Sequence, residues 1–250
     1  MSFRSLARAS INSSLRPFGL RIGRHRPSGP GYEQYLRRAL SGVDRPIVLD
    51  IGANTGQSAL QFFQVCPKAE VHSFEPSPEA FGEMIAKVHG PGFHAHNLAI
   101  GECDGVVAFH QFAQSQTASC LGPAHGVAEY APYLVERTGS VEVPVRRLDT
   151  ILPTLGIHGV IDYMKIDVQG YEDRVLRGGA NALRRTRYVM VEANFSPVYE
   201  GSCLVDTLCH LLYEQGFRLR GTVGYLLGDN IDELLSADFL FERIASADRR

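Results

Sequence analysis

The amino-acid sequence predicts an α/β fold with a mostly parallel sheet and helices on both faces. Three observations predict it. Short apolar runs alternate with helical patterns along most of the chain. The first run, Ile47–Ile51, ends in an Asp and a glycine-rich turn that opens into a helical pattern. The second, Glu70–Glu75, ends in an acid about 20 residues after the glycines, the βαβ arrangement that a nucleoside site needs.

The elements follow in order. Residues 24–31 gather Pro27, Ser28, Gly29, Pro30 and Gly31 and read as a loop. Residues 32–40 read as the helix that starts the domain. After strand Ile47–Ile51 comes a helix at 56–65, ended by Pro67. After strand Glu70–Glu75, Pro78 stands at a helix start, where its missing N–H is no loss, and the helix runs to about Val88. Phe93–Ile100 is the third strand. Residues 105–112 and 141–147 also read as strands, separated by a polar stretch containing Gly and Pro. Ile161–Val168 is a buried strand, and Gly170 opens a helix through Leu183. Tyr188–Glu192 is a strand, 203–215 a helix, and Phe217–Gly221 and Phe239–Arg243 are the last strands. No repeat, low-complexity segment or linker interrupts 31–250, so the expectation is one domain behind a basic extension at 1–30.

In such a sheet a ligand lies beyond the carboxyl ends of the strands. Asp50, Glu75, Asn97, Asp167 and Glu192 stand at those ends. Gly52 and Gly56 let the backbone approach a ligand with no Cβ in the way. Glu75 can accept hydrogen bonds from both ribose hydroxyls. Asp50 would hold an ammonium group, directly or through water, or cap the turn. Asn54 supports the same turn and tolerates left-handed dihedrals. Asn97 either meets an adenine edge or forms a turn. The glycines read Gly-x-Asn-x-Gly, with no Lys in the turn and no Arg close behind, so a pyrophosphate is poorly served. A nucleoside with a zwitterionic tail fits better, and S-adenosylmethionine is the commonest such ligand.

Lys165 and Asp167 are two apart on one strand and share a face. Charges inside an apolar strand are costly unless paired, so one reading is a structural ion pair that takes in Glu172. The other places Asp167 over a methyl-transfer site. Methyl transfer from such a donor is an in-line displacement, in which positioning carries much of the rate and a base takes the acceptor's proton. Asp167 is the first candidate for that base and Glu192 the second. Asp167, Glu192 and Asn194 offer hard oxygen ligands for Mg²⁺, although no dense carboxylate cluster is present. His110 and His125 lie in a stretch that would cover a substrate.

The 250 residues, 44% apolar, suffice for one sizeable α/β domain, and no apolar run reaches the length of a membrane span. Residues 1–30 carry six Arg and no acid; without those six, a chain of net charge −2 leaves −8 on residues 31–250. A mildly acidic body does not suggest nucleic-acid binding. The basic segment reads as a plain extension, as an amphipathic helix meeting an anionic membrane, or as a transit peptide. Five Cys with no C-x-x-C pair suggest reduced thiols in a cytoplasmic protein without a zinc site.

With these landmarks the chain resembles the FkbM-type family of S-adenosylmethionine-dependent methyltransferases. The resemblance rests on Val48-Leu-Asp-Ile-Gly-Ala-Asn-Thr-Gly56, Phe74-Glu-Pro-Ser77, Asn97-Leu-Ala-Ile-Gly101 and Arg147-Leu-Asp-Thr150. It continues through Met164-Lys-Ile-Asp-Val-Gln-Gly-Tyr-Glu172, Val175-Leu-Arg-Gly178 and Val191-Glu-Ala193. It implies a class I Rossmann-like fold, with a seven-stranded, mostly parallel sheet and an antiparallel last strand. It also implies O-methylation of a hydroxyl on a sugar, glycolipid, polysaccharide or natural product. Gln169 departs from the pattern, since the family usually carries glutamate there. Ala118-Ser-Cys-Leu121 departs too, where many members read Ser-Ser-Leu. Two rival readings are an NAD(P)-dependent reductase and a non-catalytic binding protein. No Tyr stands four residues before Lys68, Lys87 or Lys165, so the reductase motif Tyr-x-x-x-Lys is absent.

Overall fold

Strand β1 (Ile47–Ile51) alternates, sending Val48 to one face of its sheet and Leu49 and Ile51 to the other. All three are buried, which requires cover on both faces. The computed structural model shows that cover; it describes residues 31–112, 115–129, 131, 137–227 and 234–244. Contacts divide the chain into Met1–Gly31 and Tyr32–Arg250. The expected extension at 1–30 lies outside the described residues, and the sheet and its helices all belong to the second unit.

The other strands are β2 (Glu70–Phe74), β3 (Phe93–His96), β4 (Ala99–Ile100), β5 (Gly105–Phe112) and β6 (Arg137–Arg146). They continue with β7 (Ile161–Ile166), β8 (Thr186–Asn194), β9 (Phe217–Leu227) and β10 (Leu234–Arg243). Seven form one sheet in the order β3-β2-β1-β7-β8-β10-β9. The pairs from β3 to β8 are parallel, and β10 runs antiparallel to both β8 and β9. The expected sheet, antiparallel last strand included, is therefore present. Helices α1 (Tyr32–Leu40), α2 (Gln57–Val65) and α3 (Pro78–Lys87) bury Leu36, Phe62 and Met84 against the Val48 face. Helices α4 (Leu148–Thr154), α5 (Glu172–Gly178), α6 (Ala180–Arg184) and α7 (Val205–Glu214) bury Leu152, Val175, Leu183 and Leu212 against the Leu49 face. Helix α3 starts as expected, with Pro78 in its first turn and Ser77 Oγ accepting from Ala80 N.

Three expectations need correction. The strand Phe93–Ile100 breaks at Asn97. Phe93–His96 stays in the main sheet, while Ala99–Ile100 leaves it to join β6 in a three-stranded sheet of order β4-β6-β5. A tight turn, Leu98 N to His96 O, makes the break. The helix from Gly170 to Leu183 is two helices, parted at Gly179, where a Cβ would stand 2.8 Å from Leu148 Cδ1. Helix α4 has no counterpart among the expected elements; Asp149 on it accepts from Asn181 N and Ala182 N, capping α6 from outside.

Candidate functional site

Every parallel strand delivers its carboxyl end to one edge of the sheet, and there the chain opens a cleft of about 670 Å³. Gly52, Asn54, Glu75, Lys165, Asp167, Gln169 and Glu192 line it. The turn after β1 is held by Gly52 N and Ala53 N, both donating to Phe74 O at 3.0 Å. Gly52 has φ 82°, and a Cβ there would meet Asp167 O at 1.8 Å. Asn54 also takes a positive φ, 47°, and its Oδ1 accepts from Thr55 N at 2.7 Å. Gly56, at φ 88°, sits so close to helix α3 that a Cβ would reach Val88 Cγ2 at 2.5 Å.

Glu75 is buried at the tip of β2. Its Oε2 accepts from Asn54 N and its Oε1 from Ser77 N, both at 2.8 Å, so each oxygen keeps a further lone pair. Burial pushes its carboxyl up to about 7, against the two backbone bonds that favour the charge.

Asp50 does not line the cleft. It is fully buried beneath the turn, opposite Lys165 in the β1–β7 register. Its Oδ2 lies 3.5 Å from Ser73 Oγ, and among the described residues its Oδ1 has no hydrogen-bond partner. Burial pushes its carboxyl up to about 6, with the Lys165 ammonium opposing. Asn97 is also outside the cleft; its Nδ2 donates to Glu75 O and Pro76 O, bracing the loop after β2. The turn-forming reading of Asn97 describes that geometry, and the adenine-edge role has no support in it.

Lys165 Nζ lies 2.9 Å from Asp167 Oδ2. Burial works against the lysine's charge, but Asp167 and Asp50 together push its basicity above the ordinary range. Burial alone would raise the Asp167 carboxyl; the Lys165 ammonium and the hydrogen bonds on it hold it below the usual carboxylate range instead. The ion pair and the cleft position therefore coexist in Asp167. Glu172 is not part of the pair, since it accepts from Val168 N and Gly170 N and anchors the next turn.

Gln169 joins the two candidate bases. Its Nε2 donates to Asp167 Oδ1 at 2.8 Å and to Glu192 Oε2 at 2.6 Å. The residue has φ 54°, an uncommon backbone for a side chain this size, and Ser119 Oγ holds its carbonyl at 2.6 Å. Tyr199 Oη stands 2.8 Å from Gln169 Oε1. Glu192 Oε1 accepts from Ser236 Oγ at 3.0 Å, and Asp238 is its cross-strand neighbour. Burial, then the negative charges of Asp167, Glu172 and Asp238, raise the Glu192 carboxyl well above its ordinary value. The Gln169 amide occupies the place where a cation bridging Asp167 and Glu192 would sit, which disfavours the Mg²⁺ reading.

Sequence reasoning missed Tyr199 and Ser236, because no local motif marks them. Each reaches the site from a distant segment, and only the β8–β10 register brings Ser236 beside Glu192. His110 exchanges backbone hydrogen bonds with Ser119, His125 is exposed, and neither lines the cleft. Residues 113–114, 130 and 132–136, in the stretch around His110 and His125 that was expected to cover a substrate, lie outside the described residues.

A family model described as the methyltransferase FkbM domain matches residues 50–219. The 2-O-methyltransferase NoeI of Sinorhizobium fredii (strain NBRC 101917 / NGR234) is 32% identical over 212 residues, covering 81% of this chain and 85% of that protein. The hexuronic acid methyltransferase AglP of Haloferax volcanii is 26% identical over 165 residues, covering 65% of this chain and 62% of that protein. Among solved structures, the methyltransferase FkbM from Methylobacillus flagellatus KT aligns at 16% identity with a TM-score of 0.49, over 79% of this chain and 44% of that one.

Proposed function

The chain belongs to the FkbM methyltransferase family, and on that premise we propose that it methylates a hydroxyl of a carbohydrate-containing acceptor, with Glu192 as the base. S-adenosylmethionine is the methyl donor, and the residues present suit it. Three carboxylates, Glu75, Asp167 and Glu192, line the cleft against one ammonium, that of Lys165, among the described residues. That balance favours a cationic ligand and disfavours a dinucleotide with its two phosphates. Gly52 and Gly56 lack a Cβ because Asp167 O and Val88 pack there, so the glycines shape the turn rather than open space for a ligand, and Glu75 keeps lone pairs for ribose hydroxyls. Helix α2 begins with no side-chain cap, and Gln57 and Ser58 of its first turn line the cleft, which suits a carboxylate tail.

The observation that carries the catalytic reading is the Asp167–Gln169–Glu192 bridge. Bound cofactor supplies a methyl group on a good leaving group. The chain's own residues then have to orient the acceptor and remove its proton. Glu192 suits the proton, because a base works best when its basicity lies near the operating pH, and its carboxyl is raised while that of Asp167 is lowered. The Gln169 amide fixes the Glu192 rotamer, and the Lys165–Asp167 pair fixes the amide. The carbohydrate acceptor is inferred from the relatives NoeI and AglP, whose names specify 2-O and hexuronic acid methylation. Among the described residues, no helix is long and apolar enough to cross a membrane.

A calorimetric titration tests the cofactor reading. S-adenosylmethionine is expected to bind and NAD and NADP not to. Ribose hydroxyls donating to Glu75 favour its ionised form and lower its carboxyl from about 7, so binding releases protons below that pH. Affinity is expected to fall about tenfold from pH 8 to pH 6. An affinity flat across that range would remove Glu75 from contact with the ligand.

Gly52→Ala is expected to abolish cofactor binding. The new Cβ collides with a backbone oxygen, and the left-handed φ adds about 1–3 kcal/mol of strain. Full binding in a folded Gly52→Ala protein would refute the cradle role of the turn.

A further inference from the structure

We propose that Glu70, His72 and His94, on strands β2 and β3, form a binding site for a divalent transition-metal ion of the zinc type. None of the three lines the cleft. Strand β3 is the edge of the sheet, and His94 stands directly opposite His72 in the parallel register. Glu70 is two residues before His72, so all three side chains share one face.

The donor atoms converge. His72 Nε2 lies 3.5 Å from Glu70 Oε1, and His94 Nε2 lies 3.9 Å from the same oxygen. One ligand atom from each residue falls within 4.8 Å of the others. Two donors on a tetrahedral zinc are about 3.3 Å apart, so modest side-chain movement closes the site. The imidazole rings of His72 and His94 are stacked, with centroids 4.5 Å apart and planes 16° from parallel, so the exposed His94 ring has to turn about its side-chain bonds to bring both in-plane lone pairs onto a shared ion.

A further histidine orients the inner ligand. His72 Nδ1 lies 3.2 Å from His96 Nε2, with the two ring planes within 2° of parallel. If His72 donates its Nδ1–H to His96, its Nε2 lone pair faces the Glu70 carboxylate. A metal ion resolves that repulsion, and metal-bound histidines characteristically donate their other N–H in this way. The alternative is a metal-free chain in which His72 donates from Nε2 to Glu70 and accepts from His96. The side chains of Glu70 and His94 are 36% and 41% exposed, which leaves a fourth position for water and an entry path. Imidazole donors favour zinc-like ions over Mg²⁺. An ion here would bridge β2 to the four-residue edge strand β3, so its role is to secure the edge of the sheet.

The test uses the full chain, stripped with chelator and dialysed. Titration with Zn²⁺ alone is expected to show one tight site, and Co²⁺ to give a tetrahedral absorption spectrum. His94→Ala is expected to weaken Zn²⁺ binding by about 100-fold or more, and His96→Ala by about 10–100-fold. Zinc at about a hundredfold over Kd is expected to raise the thermal midpoint of the wild type by about 5–10 °C and that of His94→Ala not at all. S-adenosylmethionine should bind His94→Ala as it binds wild type, which shows that the variant is folded. A wild type that binds no zinc at micromolar concentrations would leave only the hydrogen-bonded chain and overturn the proposal. A tight site that survives in His94→Ala would overturn it too, moving the ion to the exposed His210–Glu214 pair or to a thiol.

Discussion

Glu192→Gln should lower turnover by about 10²–10⁴ while leaving S-adenosylmethionine affinity nearly unchanged. The amide keeps the size of the carboxyl and can still bond Ser236 Oγ and Gln169 Nε2, so positioning survives and only the proton acceptor is lost. Thermal stability should hold or rise, because the substitution removes a buried acid that faces Asp167 and Asp238. The pH profile supplies the second reading. A base must be ionised to act, so wild-type kcat/KM should climb with pH through a value above the ordinary carboxylate range, and Glu192→Gln should lose that limb. Asp167→Asn is the control. It removes the nearest counter-ion of Lys165, so its main effect should be on stability, with a smaller loss of turnover. If Asp167→Asn loses turnover by the larger factor and Glu192→Gln stays near normal, the base is Asp167.

Lys165→Met should destabilise the protein by about 3–5 kcal/mol, seen as a fall of about 10 °C or more in the thermal midpoint. Lys165 stands across from Asp50 and bonds Asp167, and its ammonium is what opposes their buried negative charge. Methionine fills similar space but leaves two acids facing each other without a cation. The deficit should depend on pH in a defined direction. Without the lysine, the Asp50 carboxyl rises further above its unfolded value and the Asp167 carboxyl, held low in the wild type, rises through its own, so the folded state holds protons that the unfolded state has released. Stability of the variant therefore falls as pH rises and recovers as it is lowered from about 8 toward 5. A deficit that is constant over this range, or below about 1 kcal/mol, would mean that Lys165 contributes by packing its stem and not by charge.

Much of the architecture was legible in local sequence. Alternating Val, Ile and Leu in the strands, Pro78 after Ser77, and the glycines around Asn54 each act through neighbours a few residues away. Their signal needs no knowledge of the rest of the chain. Gly52 shows the limit of such reading. Its left-handed turn is evident from the motif, but the oxygen of Asp167 that forbids a Cβ comes from more than a hundred residues downstream. The break at Asn97 was hidden for the same reason. Asn97 is the one local signal of a turn in residues 93–100, and the decision to leave the sheet depends on β6, which pairs with Ala99 and Ile100.

The site divides in the same way. Residue types at strand ends were enough to nominate Glu75, Asp167 and Glu192, because a parallel sheet sends all its carboxyl ends to one edge. Their roles depend on what surrounds each carboxyl in space. Asp50 and Asp167 are both acids at strand ends, yet Asp50 is sealed under the turn opposite Lys165, while Asp167 reaches the cleft. Asp167 and Glu192 share one amide, yet the first is held low by an ammonium and the second is raised by burial among other acids. Sequence determines which groups are available and roughly where along the chain they emerge. Charge state, proton affinity and partnership depend on distances of a few ångströms between residues far apart in the chain, since electrostatic energy falls with separation in space and is blind to separation in sequence.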